Sequence, residues 1–225
     1  INLLERKLEK SRFTRVDSDI IDRLIVKEDA HGEELAEDKR QTLSTLFSGQ
    51  LPKVQKVEFH VETRAMGETS APIVITQAEY MRRMKDMASI QPGMSFYGEM
   101  PDMYSLVLNS DHKLVKQVLE DAESACAEQL VPVESEIAML TLRQKELQKA
   151  HEGKKDEEIP VAEKDELKDV EKKLDDQKQQ KNNVLNTYAA GNKVVHQLID
   201  LALLQNNMLK GEALTNFVKR SIEMI

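Results

Sequence analysis

The side chains that most often bind metals or carry out catalysis are few in this sequence and lie far apart. Its five histidines occupy positions 31, 60, 112, 151 and 196, and none has a cysteine or a second histidine at metal-ligand spacing. Zinc and iron sites need several such ligands converging on one ion. The sequence therefore predicts no metal site.

Two isolated positions could still do chemistry. Asp111 and His112 are adjacent at a predicted helix start, where they could form a catalytic dyad or cap the helix. Capping is preferred, because acidic side chains are favoured at helix N-termini. Cys126 lies between two alanines with no histidine nearby, which predicts a packed, inert thiol. The eight glycines form no phosphate-binding motif. We predict no catalytic residue and no cofactor site in this chain.

Methionines form the most distinctive cluster. Six of the ten lie between positions 81 and 103. On a helix Tyr80, Met84 and Met87 share a face, with Met81 beside them. A flexible, polarizable thioether side chain can repack against varied apolar partners, as a site for many ligands requires. The same stripe could instead cover a small sheet, and periodicity alone does not separate these two interpretations.

Composition restricts the partners of the chain. A net charge of -8 over 225 residues gives no reason to expect nucleic acid, which needs clustered Lys and Arg. No apolar run approaches the roughly 20 residues that span a bilayer, so we expect no membrane contact. The single cysteine cannot form an intrachain disulfide. Without a signal peptide, this predicts a reducing, cytoplasmic location.

The elements around these residues predict an α+β fold. Short apolar runs indicate strands at Lys53 to Val61, Ile73 to Ile75 and Tyr104 to Leu108. Helices are predicted at 33–47 and from Asn109 or Ser110 onward, and Pro132 is expected to restart or kink the second one. The result is a small, mixed three-stranded sheet covered on one face by helices.

Two heptad segments follow, separated by the turn-like interval from Gly153 to Pro160. They predict a long, charged, antiparallel helical hairpin whose apolar seams close on each other. Gln177 and Lys181 in the second seam suggest loose packing. The hairpin could be an appendage without chemistry, or it could bind a partner as in a coiled-coil adaptor or scaffold. The seam positions are Val133, Ile137, Leu140, Gln144 and Leu147, then Leu167, Val170, Leu174, Gln177, Lys181, Val184 and Tyr188.

The last two predicted helices carry more apolar surface than one small domain can cover by itself. Exposed patches of this kind mark interfaces. Pairing two copies by twofold symmetry gives a dimeric four-helix bundle, which would bury the excess. The residues predicted to form the dimer interface are Val195, Leu198, Leu201, Ala202, Leu214, Phe217, Val218 and Ile222.

Two segments resemble the C-terminal domain of heat shock protein 90 chaperones. They are Leu106 to Val115 (LVLNSDHKLV) and Leu198 to Arg220 (LIDLALLQNNMLKGEALTNFVKR). The first carries an Asn-x-x-His-x-x-Val pattern, and the second a D-x-A-L-L helix followed by a final helix. Residues 33–103 are similar less specifically, and residues 1–30 resemble the end of the family's middle domain. We therefore expect this chain to be a fragment of a longer protein of the bacterial HtpG type.

The resemblance implies a function and a domain layout. Residues 1–32 would end the middle domain and 33–225 would form the C-terminal dimerisation domain, with the hairpin inserted at about 133–188. The chain would form homodimers, and Tyr80, Met81, Met84 and Met87 would contact unfolded client proteins. ATP and Mg²⁺ would bind the N-terminal and middle domains of the full-length ATPase. The hairpin is longer than the loop common in bacterial members, so its role does not transfer.

Overall fold

The computed structural model describes residues 35–53, 56–77, 84, 87, 101–153 and 159–225. The predictions for residues 1–34 lie outside these ranges, and so do Tyr80 and Met81. The described elements are α1 (Glu37–Ser48), β1 (Val57–Arg64), β2 (Ile73–Gln77), β3 (Asp102–Asn109), α2 (Lys113–His151), α3 (Val161–Gly191), α4 (Lys193–Gln205) and α5 (Glu212–Glu223).

The three strands form the predicted mixed sheet, which confirms the α+β class. β3 is central, parallel to β1 and antiparallel to β2. The prediction that the first strand begins at Lys53 is wrong, because β1 begins at Val57. Lys56, just before it, has a φ of 58°, a left-handed conformation incompatible with a continuous strand. Its carbonyl accepts a hydrogen bond from Asp102 N at 2.8 Å.

The core forms around β3. Leu106 lies opposite Val61 on one side and Ile75 on the other, and all three are buried. Leu106, Val107 and Leu108 are all fully buried, although successive strand residues point to opposite faces. The prediction of a sheet covered on one face is therefore wrong for β3. Helix α1 packs against β1, and α4 packs against β2 and α1.

Asn109 fastens the loop between β1 and β2 to the end of β3. Its side-chain oxygen accepts hydrogen bonds from Met66 N and Asp111 N, each at 3.1 Å. Its side-chain nitrogen donates to the carbonyls of Gly67 at 2.9 Å and Ala71 at 3.3 Å. Asn109 is fully buried, so its one amide finds all of its hydrogen-bond partners in four backbone groups of the protein.

The chain folds into two compact units. Among the described residues, one unit comprises those from 35 to 119 together with 193–225, and the other comprises those between Glu120 and Asn192, which include the predicted hairpin. In the second unit, α2 continues through Pro132 as one helix, so of the two predicted effects of this proline, a restart or a kink, the restart does not occur. α2 ends at His151 and α3 begins at Val161, which agrees with the predicted turn interval.

The hairpin seam is confirmed. Every predicted seam position is buried or partly buried, and the flanking positions are mostly exposed. Ion pairs between the arms show that they are antiparallel: Arg143 binds Glu166 at 2.6 Å, nearer the turn. Further from it, Lys181 pairs with Glu134 at 2.7 Å. The polar seam residue Lys181 thus has a partner across the hairpin.

Candidate functional site

Helix α5 leaves its apolar face uncovered. None of its residues is buried, and Leu214, Val218 and Ile222 are exposed, the last two by 47% and 69%. They are spaced by four residues, so they follow one side of the helix, with Phe217 partly covered beside them. An isolated apolar side chain on a surface is ordinary, but a continuous stripe of this kind marks an interaction site.

Polar contacts hold α5 against α4. Arg220 hydrogen bonds to the Asp200 carboxylate and, through Nε, to Gln197 Oε1 at 3.0 Å. Gln197 Nε2 donates to Ser221 Oγ at 2.7 Å. Because the side of α5 that faces α4 is occupied by these groups, the apolar stripe is left for another partner.

An ion pair joins the far ends of the same two helices. Lys193 Nζ lies 2.8 Å from Glu223 Oε2. The hydrogen bond from Lys193, with its charge, holds the pKa of the Glu223 carboxyl below its usual value. Both side chains are well exposed, so solvent screening leaves the pair little weight in stability.

Helix α4 divides the predicted interface residues into two groups. Val195, Leu198 and Ala202 are buried within the chain, so they retain almost no surface to offer a partner. Leu201 is exposed and lies on the other side of the helix, and Leu204, three residues further on, is equally exposed. The predicted dimer interface omits Leu204. Its spacing of three residues from Leu201 places both side chains on the same side of a helix, so the sequence alone could have included it.

The structure describes two of the four residues that are predicted to contact client proteins. Met84 and Met87 are both helical, Met84 is partly exposed, and Met87 is exposed by 44%. Tyr80 and Met81 lie outside the described residues. Met87 therefore keeps part of its apolar side chain accessible to a partner.

Asp111 and His112 are engaged in structural contacts. An Asp111 carboxylate oxygen accepts a hydrogen bond from Gly67 N at 2.8 Å. His112 Nδ1 accepts one from Leu114 N at 3.2 Å, which satisfies one of the free N–H groups at the start of α2. The prediction that the acidic side chain caps the helix is therefore wrong for Asp111, which binds the β1–β2 loop, and the side chain that caps α2 is His112. Within the described ranges, no group of three His, Cys, Asp or Glu side chains could hold a metal ion.

Cys126 is buried, with 5% of its surface exposed, and burial raises the pKa of its thiol. We expect it to react with a maleimide at neutral pH at least about tenfold more slowly than in the urea-unfolded chain, because the thiolate is the nucleophile. The rate should rise with pH as the thiolate forms. Equal rates in the folded and unfolded chains, measured by mass spectrometry, would show that the thiol is accessible.

No helix in the described part of the chain combines the length and apolar character needed to cross a bilayer.

Sequence comparison identifies relatives that match all 225 residues. Each is named chaperone protein HtpG: one from Bacteroides fragilis is 64% identical, one from Bacteroides thetaiotaomicron 60%, and one from Porphyromonas gingivalis 44%. The alignment covers 33% of each relative, so the chain spans about a third of the length of the curated relatives it matches. No family model matches the chain, and no solved structure matches it.

Proposed function

Because this chain is homologous along its whole length to the HtpG chaperone proteins, we propose that it is the homodimerisation module of an ATP-dependent chaperone. The observation that supports this best is the geometry of α5. Its polar side is bound to α4, and its apolar stripe, with Leu214, Val218 and Ile222, is exposed. A second copy of the same stripe would cover it.

The proposed dimer is a four-helix bundle of α4 and α5 from two copies. Twofold symmetry places the same patch on both sides of an interface, so an apolar stripe can pair with itself. Leu201 and Leu204 would extend the interface onto α4, since both are exposed. Fully burying an exposed aliphatic side chain contributes roughly 1.5–3 kcal/mol, and Leu201 and Leu204, each 37% exposed in the single chain, would contribute about a third of that.

Dimerisation would have a functional purpose in a chaperone of this kind. Joining two copies at one end raises the effective concentration at which their other ends meet. By the resemblance, ATP and Mg²⁺ would bind the N-terminal and middle domains of the whole protein, and this module would bring two such ATPase arms together. A cytoplasmic location stays a prediction from the sequence.

Subunit exchange tests the proposal. One sample of the chain carries a donor dye and a second sample an acceptor dye, each attached at a site other than Cys126. Energy transfer should develop after the two samples are mixed. An excess of unlabelled chain should remove the signal by competition. No energy transfer at micromolar concentration would contradict the dimer.

We also propose that the methionine helix contacts unfolded client proteins through Met84 and Met87, with Tyr80 and Met81. Changing Met84→Glu with Met87→Glu should weaken binding of an unfolded model substrate at least about tenfold, because two apolar contacts are lost. Thermal unfolding should change little, since Met87 is exposed and Met84 is partly exposed. Fluorescence anisotropy with a labelled, reduced and unfolded protein measures the binding.

A matched variant controls for the added charge. Val161→Glu with Gln148→Glu places two carboxylates at exposed positions of the hairpin and should leave substrate binding intact. If the methionine variant unfolds at a much lower temperature, its side chains belong to the core. If both variants bind alike, the methionines make no client contact.

A further inference from the structure

The outer face of α2 in the hairpin carries an apolar stripe that neither arm covers. Val131, Met139 and Leu142 are exposed by 60%, 66% and 62%. Their helical spacing places them together, on the side of α2 opposite the seam residues Val133 and Leu147. The hairpin is closed by its seam, so its packing does not require this stripe.

The same stretch of α2 has one sign of charge. Six carboxylates and no Lys or Arg lie in the stretch from Glu120 to Leu142. Lys181 on α3 pairs with Glu134, whereas Glu120 and Glu128 form no ion pair within the part of the chain that the structure describes. Glu128 is exposed, one turn from Val131. The stripe is thus apolar along its centre and negative at its N-terminal end, beside Glu128, whereas Arg143 and Lys145 follow its last residue, Leu142.

A cleft of about 470 Å³ opens between α2 and α3 next to this stretch, with Pro132, Val133 and Val184 among its lining residues. Glu136 and Gln177 also line it, and their side chains are joined by a hydrogen bond of 2.8 Å. Gln177 Oε1 is buried and accepts no hydrogen bond from the described residues. A carboxylate beside a free buried acceptor suits a guanidinium or ammonium group, which only donates.

From these three features, we propose that the outer face of α2 binds an amphipathic helix of another protein, apolar along one side and flanked by Lys or Arg. The apolar side would cover Val131, Met139 and Leu142, as in other complexes where a helix lies on an apolar surface. A basic side chain would reach Glu136 and Gln177 in the cleft. A second copy of the acidic hairpin would be repelled by like charge, so it does not fit this face.

The test uses the whole chain and a defined probe. The probe is a labelled peptide of about 20 residues with leucines at helical spacing and Arg or Lys elsewhere, and its twin has Glu at the basic positions. Fluorescence anisotropy should show micromolar binding of the basic peptide, weakened by added salt because exposed charges are screened. The acidic twin should not bind. Failure of the basic peptide to bind at low salt would overturn the proposal.

Variants of the chain locate the binding surface. Val131→Gln with Leu142→Gln, and separately Glu128→Lys, should each weaken binding at least about tenfold. Val161→Gln and Asp175→Lys are the matched controls at exposed positions of α3, and they should leave it unchanged. If Asp175→Lys weakens peptide binding as much as Glu128→Lys does, the binding is unspecific charge attraction, and the proposal is overturned. Circular dichroism checks that each variant keeps its helix content. If the double variant loses helix content, the single variant Met139→Gln replaces it.

Discussion

Changing Val218→Glu with Ile222→Glu should convert the proposed dimer into a monomer. Both side chains are exposed in the single chain, by 47% and 69%, and both lie in the proposed interface. A dimer would have to bury four unpaired carboxylates, each of which carries a large desolvation cost. The dissociation constant should rise at least about a hundredfold, because two apolar contacts per chain are also lost. Sedimentation velocity measures the change.

Substitutions at Val218 and Ile222 should affect the association of two chains without affecting the folding of each one. Because neither side chain is buried in the single chain, the melting temperature of the monomer should hardly change. Asn216→Glu with Lys219→Gln lowers the net charge by the same amount at exposed positions away from the stripe, and this control should remain dimeric. If the Val218 and Ile222 variant sediments like the wild type, the interface lies elsewhere.

Changing Asn109→Leu should cost about 3–5 kcal/mol of unfolding free energy. The amide of Asn109 serves four backbone groups, and leucine would leave those of Met66, Gly67 and Ala71 without this partner. Each buried polar group left unsatisfied costs about 1–3 kcal/mol. For a chain of this size the melting temperature should fall by roughly 10 °C. Thermal and urea unfolding, followed by circular dichroism, measure both quantities.

The control for this prediction is Asn183→Leu, the same substitution at an exposed position of α3, which should change stability by less than about 0.5 kcal/mol. A loss below about 1 kcal/mol for Asn109→Leu would contradict the role of this amide. The prediction also explains the Asn-x-x-His-x-x-Val pattern physically. Asn109 fastens the loop, His112 caps α2, and Val115 is fully buried.

The features that sequence predicts best are those set by local periodicity. The hairpin seam is confirmed at every position because heptad spacing alone determines which side of each helix closes on the other. The start of β1 could not be predicted in this way. It depends on the left-handed conformation of Lys56, and lysine is not a residue that sequence rules associate with such a conformation.

The interface residues show a second limit of periodicity. Helix α4 is apolar on two sides, and the sequence does not tell which side packs on its own sheet. In the structure Val195, Leu198 and Ala202 are buried within the chain, whereas Leu201 and Leu204 are exposed. That choice depends on the packing of α4 against β2 and α1, which are distant in sequence.

Sedimentation equilibrium of the unmodified chain over a range of concentrations tests the proposed dimer most directly. The chain has a mass of 25.7 kDa. We predict a single species of twice that mass at micromolar concentration, dissociating to the monomer only on strong dilution. A mass of 25.7 kDa throughout the range would contradict the proposal that α4 and α5 form an interface between two copies.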